Sequence, residues 1–193
     1  MAPDCIIENS DSDEIDFRAV GDEDYPLLRG WLESPHMREW WGEPETELGY
    51  IREMVEGRDT TRPFLILLNG RPIGYIQYWC IGDHQNDKWV EDHPWLLELP
   101  TESLGLDIFL GEMDFLGQGI GTEALSLMTE RLIATGRGPL IIDPDSTNAR
   151  AIRSYEKAGF RRIEALLGQT GDTLIMKFDP NSGINTDKNE YRI

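Results

Sequence analysis

Leu116-Gly117-Gln118-Gly119-Ile120-Gly121-Thr122 separates an apolar run, Leu104 to Leu110, from a run of helical period in which Ile120, Ala124, Leu125, Met128 and Leu132 share one face. The first run reads as a strand, so the glycines fall at a strand-to-helix junction. Glycine there lets the backbone turn sharply and come close to a ligand. The first N–H groups of the helix then face that ligand, with the positive end of the helix dipole behind them. Such a turn suits a phosphate or pyrophosphate. Its spacing alone also fits plain chain punctuation, and the surroundings must decide.

Downstream, the helix spans roughly Gly119 to Thr135 and stops at Gly136. Pro139 to Asp143 reads as a short buried strand. Ser146 or Thr147 can cap a helix running to Ala158, with Gly159 as its C-terminal stop. Phe160 to Leu167 and Thr173 to Phe178 form a final hairpin. Upstream, Ile15 to Val20 alternates as a strand, and Asp22 to Glu33 and Pro44 to Glu56 are helical. Asn69-Gly70 between Pro63–Leu68 and Pro72–Ile81 signals a two-residue β-hairpin. From Gly82 to Glu102 the chain is a long polar and aromatic loop; such loops are functional or disordered, and its tryptophans argue against disorder. The order β-α-α-β-β-β-α-β-α-β-β predicts one mixed α/β (α+β) domain over residues 15–178, between a mobile acidic tail, 1–14, and a polar tail, 179–193. No internal repeat is present.

Composition bounds the function. With 193 residues, 39% hydrophobic and 28% charged, the chain is long enough for a single domain with a sizeable core. No apolar run reaches membrane-spanning length and the N-terminus lacks a signal-peptide pattern, so a soluble cytoplasmic protein without a membrane partner is expected. Two cysteines, Cys5 and Cys80, and three histidines, His36, His84 and His93, lack the spacing of a disulfide framework or a zinc site, so no metal is expected. Thirty-six acidic against 18 basic residues give a formal charge of -18, which repels nucleic acid. The same charge attracts a polycation, or simply maintains solubility.

A second stretch narrows the reading: Asn148-Ala149-Arg150-Ala151-Ile152-Arg153-Ser154-Tyr155-Glu156-Lys157-Ala158-Gly159-Phe160. With the glycine turn after the fourth strand, it resembles the GNAT superfamily of acyl-CoA-dependent N-acetyltransferases over roughly residues 15 to 178. The resemblance implies a mostly antiparallel central sheet of about six to seven strands flanked by about four helices, and acetyl-CoA as co-substrate. Leu116 departs from the family pattern, which has Gln or Arg at that position. Backbone amides do most of the cradling of a phosphate, so the loss concerns one side-chain contact. A closer similarity is to the aminoglycoside 6′-N-acetyltransferases. It rests on Glu39-Trp40-Trp41-Gly42, Leu67 to Tyr75, Gly105-Leu106-Asp107, Leu116 to Thr122 and Asp143-Pro144-Asp145-Ser146-Thr147-Asn148.

That similarity assigns expected roles. Acetylating an amine needs a neutral nitrogen, and a nearby carboxylate can hold the ammonium and accept its proton. Asp107 interrupts an apolar strand, where a carboxylate is costly without a purpose; an outward or edge position is the alternative. Tyr155 resembles the family tyrosine that donates to the departing sulfur, although its period with Ile152 also fits a core aromatic. Leu116, Gly117, Gln118, Gly119, Ile120, Gly121 and Thr122 are expected at the acyl-CoA, with Asn148 on the pantetheine arm or starting its helix. Trp40, Trp41, Asp87, Trp89 and Asp143 are expected around the acceptor, because carboxylates pair with ammonium groups and indole faces suit sugars and cations. Trp41 also fits ordinary core, and Asp143 before Pro144 also fits a turn. The expectation is an antibiotic-inactivating acetyltransferase working by direct transfer, as monomer or homodimer. Acetylation of a polyamine, a protein N-terminus or a siderophore precursor stands beside it, as does an idle acyl-CoA-binding module.

Overall fold

The computed structural model describes residues 14–182; both expected tails lie almost wholly outside that range. In chain order the elements are β1 (Ile15–Ala19), α1 (Tyr25–Leu32), α2 (Pro35–Arg38), α3 (Pro44–Val55), β2 (Arg62–Leu68), β3 (Arg71–Cys80), α4 (Ile81–His84) and α5 (Asp87–Val90). Then follow β4 (Leu104–Leu110), α6 (Ile120–Ala134), β5 (Leu140–Ile142), α7 (Ala149–Lys157), β6 (Phe160–Arg162) and β7 (Met176–Phe178). Four of the helices, α1, α3, α6 and α7, have eight residues or more. The seven strands form one sheet in the order β1-β2-β3-β4-β5-β7-β6, antiparallel except between β4 and β5.

The hairpin turn is the one its residues require. Asn69 and Gly70 adopt φ values of 50° and 78°, and both central positions of such a turn need positive φ. The period-2 alternation of β4 then divides the core. Leu104, Leu106 and Leu110 face α6, where Ile120, Ala124, Leu125, Met128 and Leu132 are all buried, as their period predicts. Phe109 faces the other way, joining Tyr75, Leu28, Trp31, Leu48 and Ile51 beneath α1 and α3. Each Leu, Ile, Met or Phe among them contributes about 1.5–3 kcal/mol by leaving water.

Three local expectations need correction. The segment after β3 is not an open loop: it folds into α4, α5 and a 3-10 turn at Pro94–Glu98. Trp95, Leu96 and Leu99 bury against Ile81, Ile141, Leu166 and Ile175, and the Gln85 amide donates to the Leu96 and Leu99 carbonyls at 2.7 and 2.8 Å. Apolar anchors spaced too irregularly for any period hold this segment. The cap of α7 is Asn148, whose Oδ1 accepts the Ala151 N–H at 3.1 Å. Thr147 is instead turned back, its hydroxyl and N–H both bound to Asp145 Oδ1. In the final hairpin only Phe160–Arg162 and Met176–Phe178 pair as named strands, because Glu164–Leu166 coils into a 3-10 turn that buries Leu166.

Candidate active site

β4 and β5 are parallel neighbours joined at two register pairs, Leu104 with Leu140 and Gly105 with Ile141. Beyond them β4 continues to Leu110 while β5 ends at Ile142. A cavity of about 790 Å³ lies along this parting, with Leu106 to Leu110 on one side and Ile142 to Asp145 on the other. Leu116, Gly117, Gly119, Gly121 and Thr122 line it, with Asn148, Ser154 and Tyr155 of the α7 region.

Gly117 and Gly119 take φ values of 77° and 89°, the left-handed region that side chains disfavour. The first backbone bond within α6 runs from Glu123 N–H to the Gly119 carbonyl, so the amides of Ile120, Gly121 and Thr122 have no intrahelical acceptor. At this end of a 15-residue helix they offer donors that suit an anion, and Arg150, Arg153 and Lys157 add positive charge to the same cavity. The side chains divide their tasks. Leu116 is half-buried against the core, Ile120 sits inside the core, and Gln118 is exposed with its amide bonded to the Asp114 carbonyl. Thr122 Oγ1 meets Ser154 Oγ at 2.7 Å and ties α6 to α7. Gln118 and Ile120, unlike their neighbours in the turn, are not among the residues that line this cavity.

A second cavity of about 260 Å³ adjoins the first, and Trp41, Glu47, His93 and Asp143 line both. Its walls carry four acids, Glu47, Glu53, Asp59 and Asp143, and four indoles, from Trp41, Trp79, Trp89 and Trp95, with no Lys or Arg among the lining residues. The larger space thus combines three basic residues with the acids Glu47, Asp107, Asp143 and Asp145, whereas the smaller is acidic and aromatic. Trp40 lines the larger cavity only. Trp41 is wall and core at once, meeting Phe109 and Tyr75 edge-on at 4.7 and 6.1 Å. Asp87 lies elsewhere: the first residue of α5, it is exposed and outside the lining of both cavities.

Asp107 sits in the wall of the larger cavity with Gln77 directly opposite on β3. Gln77 Nε2 and Trp79 Nε1 donate to its Oδ2 at 2.8 and 3.0 Å, whereas Oδ1 takes no hydrogen bond among the described residues. Burial pushes the Asp107 carboxyl up, and the bonds from Gln77 and Trp79 with the nearby His84 oppose the rise without cancelling it. Asp143 is pushed up strongly, by burial and then by the charge of Asp107. Glu47 is raised for the same two reasons. Tyr155, packed against the core yet lining the cavity, has its phenol raised by burial, Asp107 and Asp143. Three carboxylates crowding one space favour a bound cation.

Gln77, Trp79 and Glu47 were not legible as site residues. Gln77 and Trp79 carry a signal only once the β3–β4 register is known, and Glu47 lies in the first turn of a distant helix.

A family model described as "Acetyltransferase (GNAT) domain" matches residues 21–166. The chain belongs to the GNAT acetyltransferases. Among curated relatives, the aminoglycoside N(6′)-acetyltransferase type 1 of Klebsiella pneumoniae is 34% identical over 179 residues, covering 89% of this chain and 85% of that protein. A kanamycin resistance protein of Rhizobium radiobacter is 35% identical over 93 residues, which is 48% of this chain and 82% of its own. The structure of AAC(6′)-Ib in complex with paromomycin and acetyl-CoA superposes with a TM-score of 0.73 at 30% identity, covering 92% of this chain and 99% of that one. The same enzyme with coenzyme A and kanamycin gives 0.71 at 30% identity, covering 90% and 99%. The fold of this GNAT protein is thus shared with those structures over nine-tenths or more of its length.

Proposed function

We propose that this protein transfers the acetyl group of acetyl-CoA to the 6′-amino group of an aminoglycoside, by direct transfer in a ternary complex, and so confers resistance. The observation that carries the reading is the pair of joined cavities, one bringing Arg150, Arg153 and Lys157 together with Asp107 and Asp143, the other acidic and aromatic with no Lys or Arg in its lining. The glycine turn, the free first-turn amides of α6 and the basic residues of α7 suit the pyrophosphate and phosphates of an acyl-CoA. The acid- and indole-lined cavity suits a polyammonium sugar, and relatives of similar length carry both kinds of ligand.

Acetyl-CoA supplies the activated acyl group. The residues do the rest. Asp107 Oδ1 holds the acceptor's ammonium and takes its proton, directly or through water, a task that a carboxyl raised by burial performs better than an ordinary one. Asp143 and Glu47 balance the remaining positive charge. Tyr155 keeps its phenolic proton because burial and two carboxylates raise it, so it is available to donate to a thiolate. Asn148 lines the cavity while its Oδ1 caps α7, which leaves Nδ2 to donate to the pantetheine arm. The overall formal charge of -18 draws a polycation toward the site.

Thiol release from acetyl-CoA against kanamycin, tobramycin, spermidine and a peptide panel tests this. Turnover with aminoglycosides is expected; turnover confined to spermidine or peptides would overturn the reading. Asp107→Asn is expected to lose about 10²- to 10⁴-fold in kcat with acetyl-CoA binding retained. Unchanged kcat would remove Asp107 from the chemistry.

A further inference from the structure

Tyr75 is fully buried under α1 and α3, at 0% exposure, in a chain that sends a polar group toward the site. Its hydroxyl has two neighbours able to accept: Gln77 Oε1 at 2.5 Å and Met54 Sδ at 3.8 Å. A thioether is a weak acceptor, so the single phenolic proton goes to the amide. The other end of that amide, Nε2, donates to Asp107 Oδ2 at 2.8 Å. We propose that Tyr75 is a positioning residue for Asp107: its hydroxyl holds the Gln77 amide in the one orientation that presents a donor to the carboxylate. This rests on the reading of Asp107 as the acceptor-side carboxylate.

The two ends of a side-chain amide are nearly equal in size, so its partners decide which way it faces. An ionised carboxylate only accepts, and needs Nε2. Tyr75 secures that choice from behind by occupying Oε1. Without the phenolic O–H, Oε1 loses its donor and the amide is free to turn that oxygen toward Asp107. An acceptor facing Asp107 favours the protonated acid. The other groups around Asp107 come from separate elements: Glu47 on α3, Asp143 after β5, His84 on α4 and Tyr155 on α7. None of them is hydrogen-bonded to the Tyr75 hydroxyl. The Tyr75 ring stacks on Phe109 at 5.2 Å and meets Trp41 edge-on, contacts that a phenylalanine keeps.

The test is a carboxyl-carbon NMR titration of the full chain labelled at aspartate, with the Asp107 resonance assigned by Asp107→Asn. Tyr75→Phe is expected to move the Asp107 midpoint to higher pH by roughly half a unit to one unit. Gln77→Met moves it upward at least as far, and adding Tyr75→Phe to Gln77→Met moves it no further. Met54→Leu, which spares the hydroxyl, leaves it in place. The acid limb of kcat/KM shifts with the midpoint. An unmoved midpoint in Tyr75→Phe, an equal additional shift in the double variant, or the same shift from Met54→Leu would each overturn the proposal. The titration needs no acceptor, so its failure is distinct from a failure to acetylate aminoglycosides.

Discussion

A Cβ at Gly105 would lie 2.2 Å from Cε2 of Trp79, so the indole rests on bare backbone. The two residues are register partners across β3 and β4, and the Trp79 indole reaches along the strand to Asp107, 3.0 Å from Nε1. A methyl group there cannot coexist with the ring, and the neighbour that must move is a stiff bicycle packed between strands. Gly105→Ala is therefore expected to lower kcat/KM for the amine about 10- to 100-fold with little change in acetyl-CoA affinity. Trp79→Phe, which keeps a ring but loses the N–H, is expected to cost less, about 3- to 10-fold. Steady-state kinetics with a separate acetyl-CoA titration checks this; wild-type kcat/KM in Gly105→Ala would refute it.

Glu47 joins the two cavities, and its carboxyl leans so closely over Gly42 that a Cβ there would meet Oε1 at 2.4 Å. Burial and Asp107 raise it, as expected for an acid awaiting a cation. Glu47→Gln is expected to raise KM about 10-fold for an acceptor with a second ammonium on the acetylated ring. An acceptor with a hydroxyl there should be affected less, with kcat nearly unchanged for both. Equal changes in KM for the two would show that Glu47 does not read the second charge.

Asp107, Asp143 and Glu47 all have folded-state values above ordinary carboxylates. Such groups contribute stability that is fully present below the unfolded pKa and lost as pH rises through the folded one. The protein without acceptor is accordingly expected to lose stability as pH rises through the raised carboxyl range. Asp143→Asn should raise Tm at neutral pH, have a smaller effect at acidic pH, and weaken acceptor binding. Asp24 runs the other way. Burial alone would raise its carboxyl, but Arg18, at 2.7 and 3.0 Å, and the Gly21 N–H outweigh that and hold it low. Its contribution is present above the unfolded pKa and fades only as pH falls through the depressed folded one. Thermal melts across pH separate the two; an Asp143→Asn protein less stable than wild type at neutral pH would contradict the first.

Tyr155 is raised by burial first and by two carboxylates second. It stays protonated through the working range, and no alkaline limb in the pH profile should belong to it. Tyr155→Phe is expected to lower kcat about 10- to 100-fold with KM for the amine little changed. Loss of an alkaline limb in the variant would mean that Tyr155 titrates in the wild type.

Short-range chemistry was readable from the residues in order. Period 3.6 marks the buried face of α6, Asn69-Gly70 permits one tight hairpin, and glycines between an apolar strand and a periodic helix describe a cradle for an anion. Asp107 stands out in the sequence because a carboxylate inside an apolar strand is costly, and the structure puts it in the wall of the larger cavity. The partners of that carboxylate were not, since Gln77 and Trp79 reach it only through the antiparallel register of β3 on β4. Asp87, beside Trp89 in the sequence, shares its short helix but not its exposure, because one turn of helix points neighbouring side chains apart. Glu47 meets Asp143 across the same space from nearly a hundred residues away. Local sequence thus determined the elements and the glycine turn, whose geometry depends on consecutive residues. The charges gathered in the two cavities were decided by tertiary structure, because the field in a cavity depends on which distant side chains packing brings to its walls.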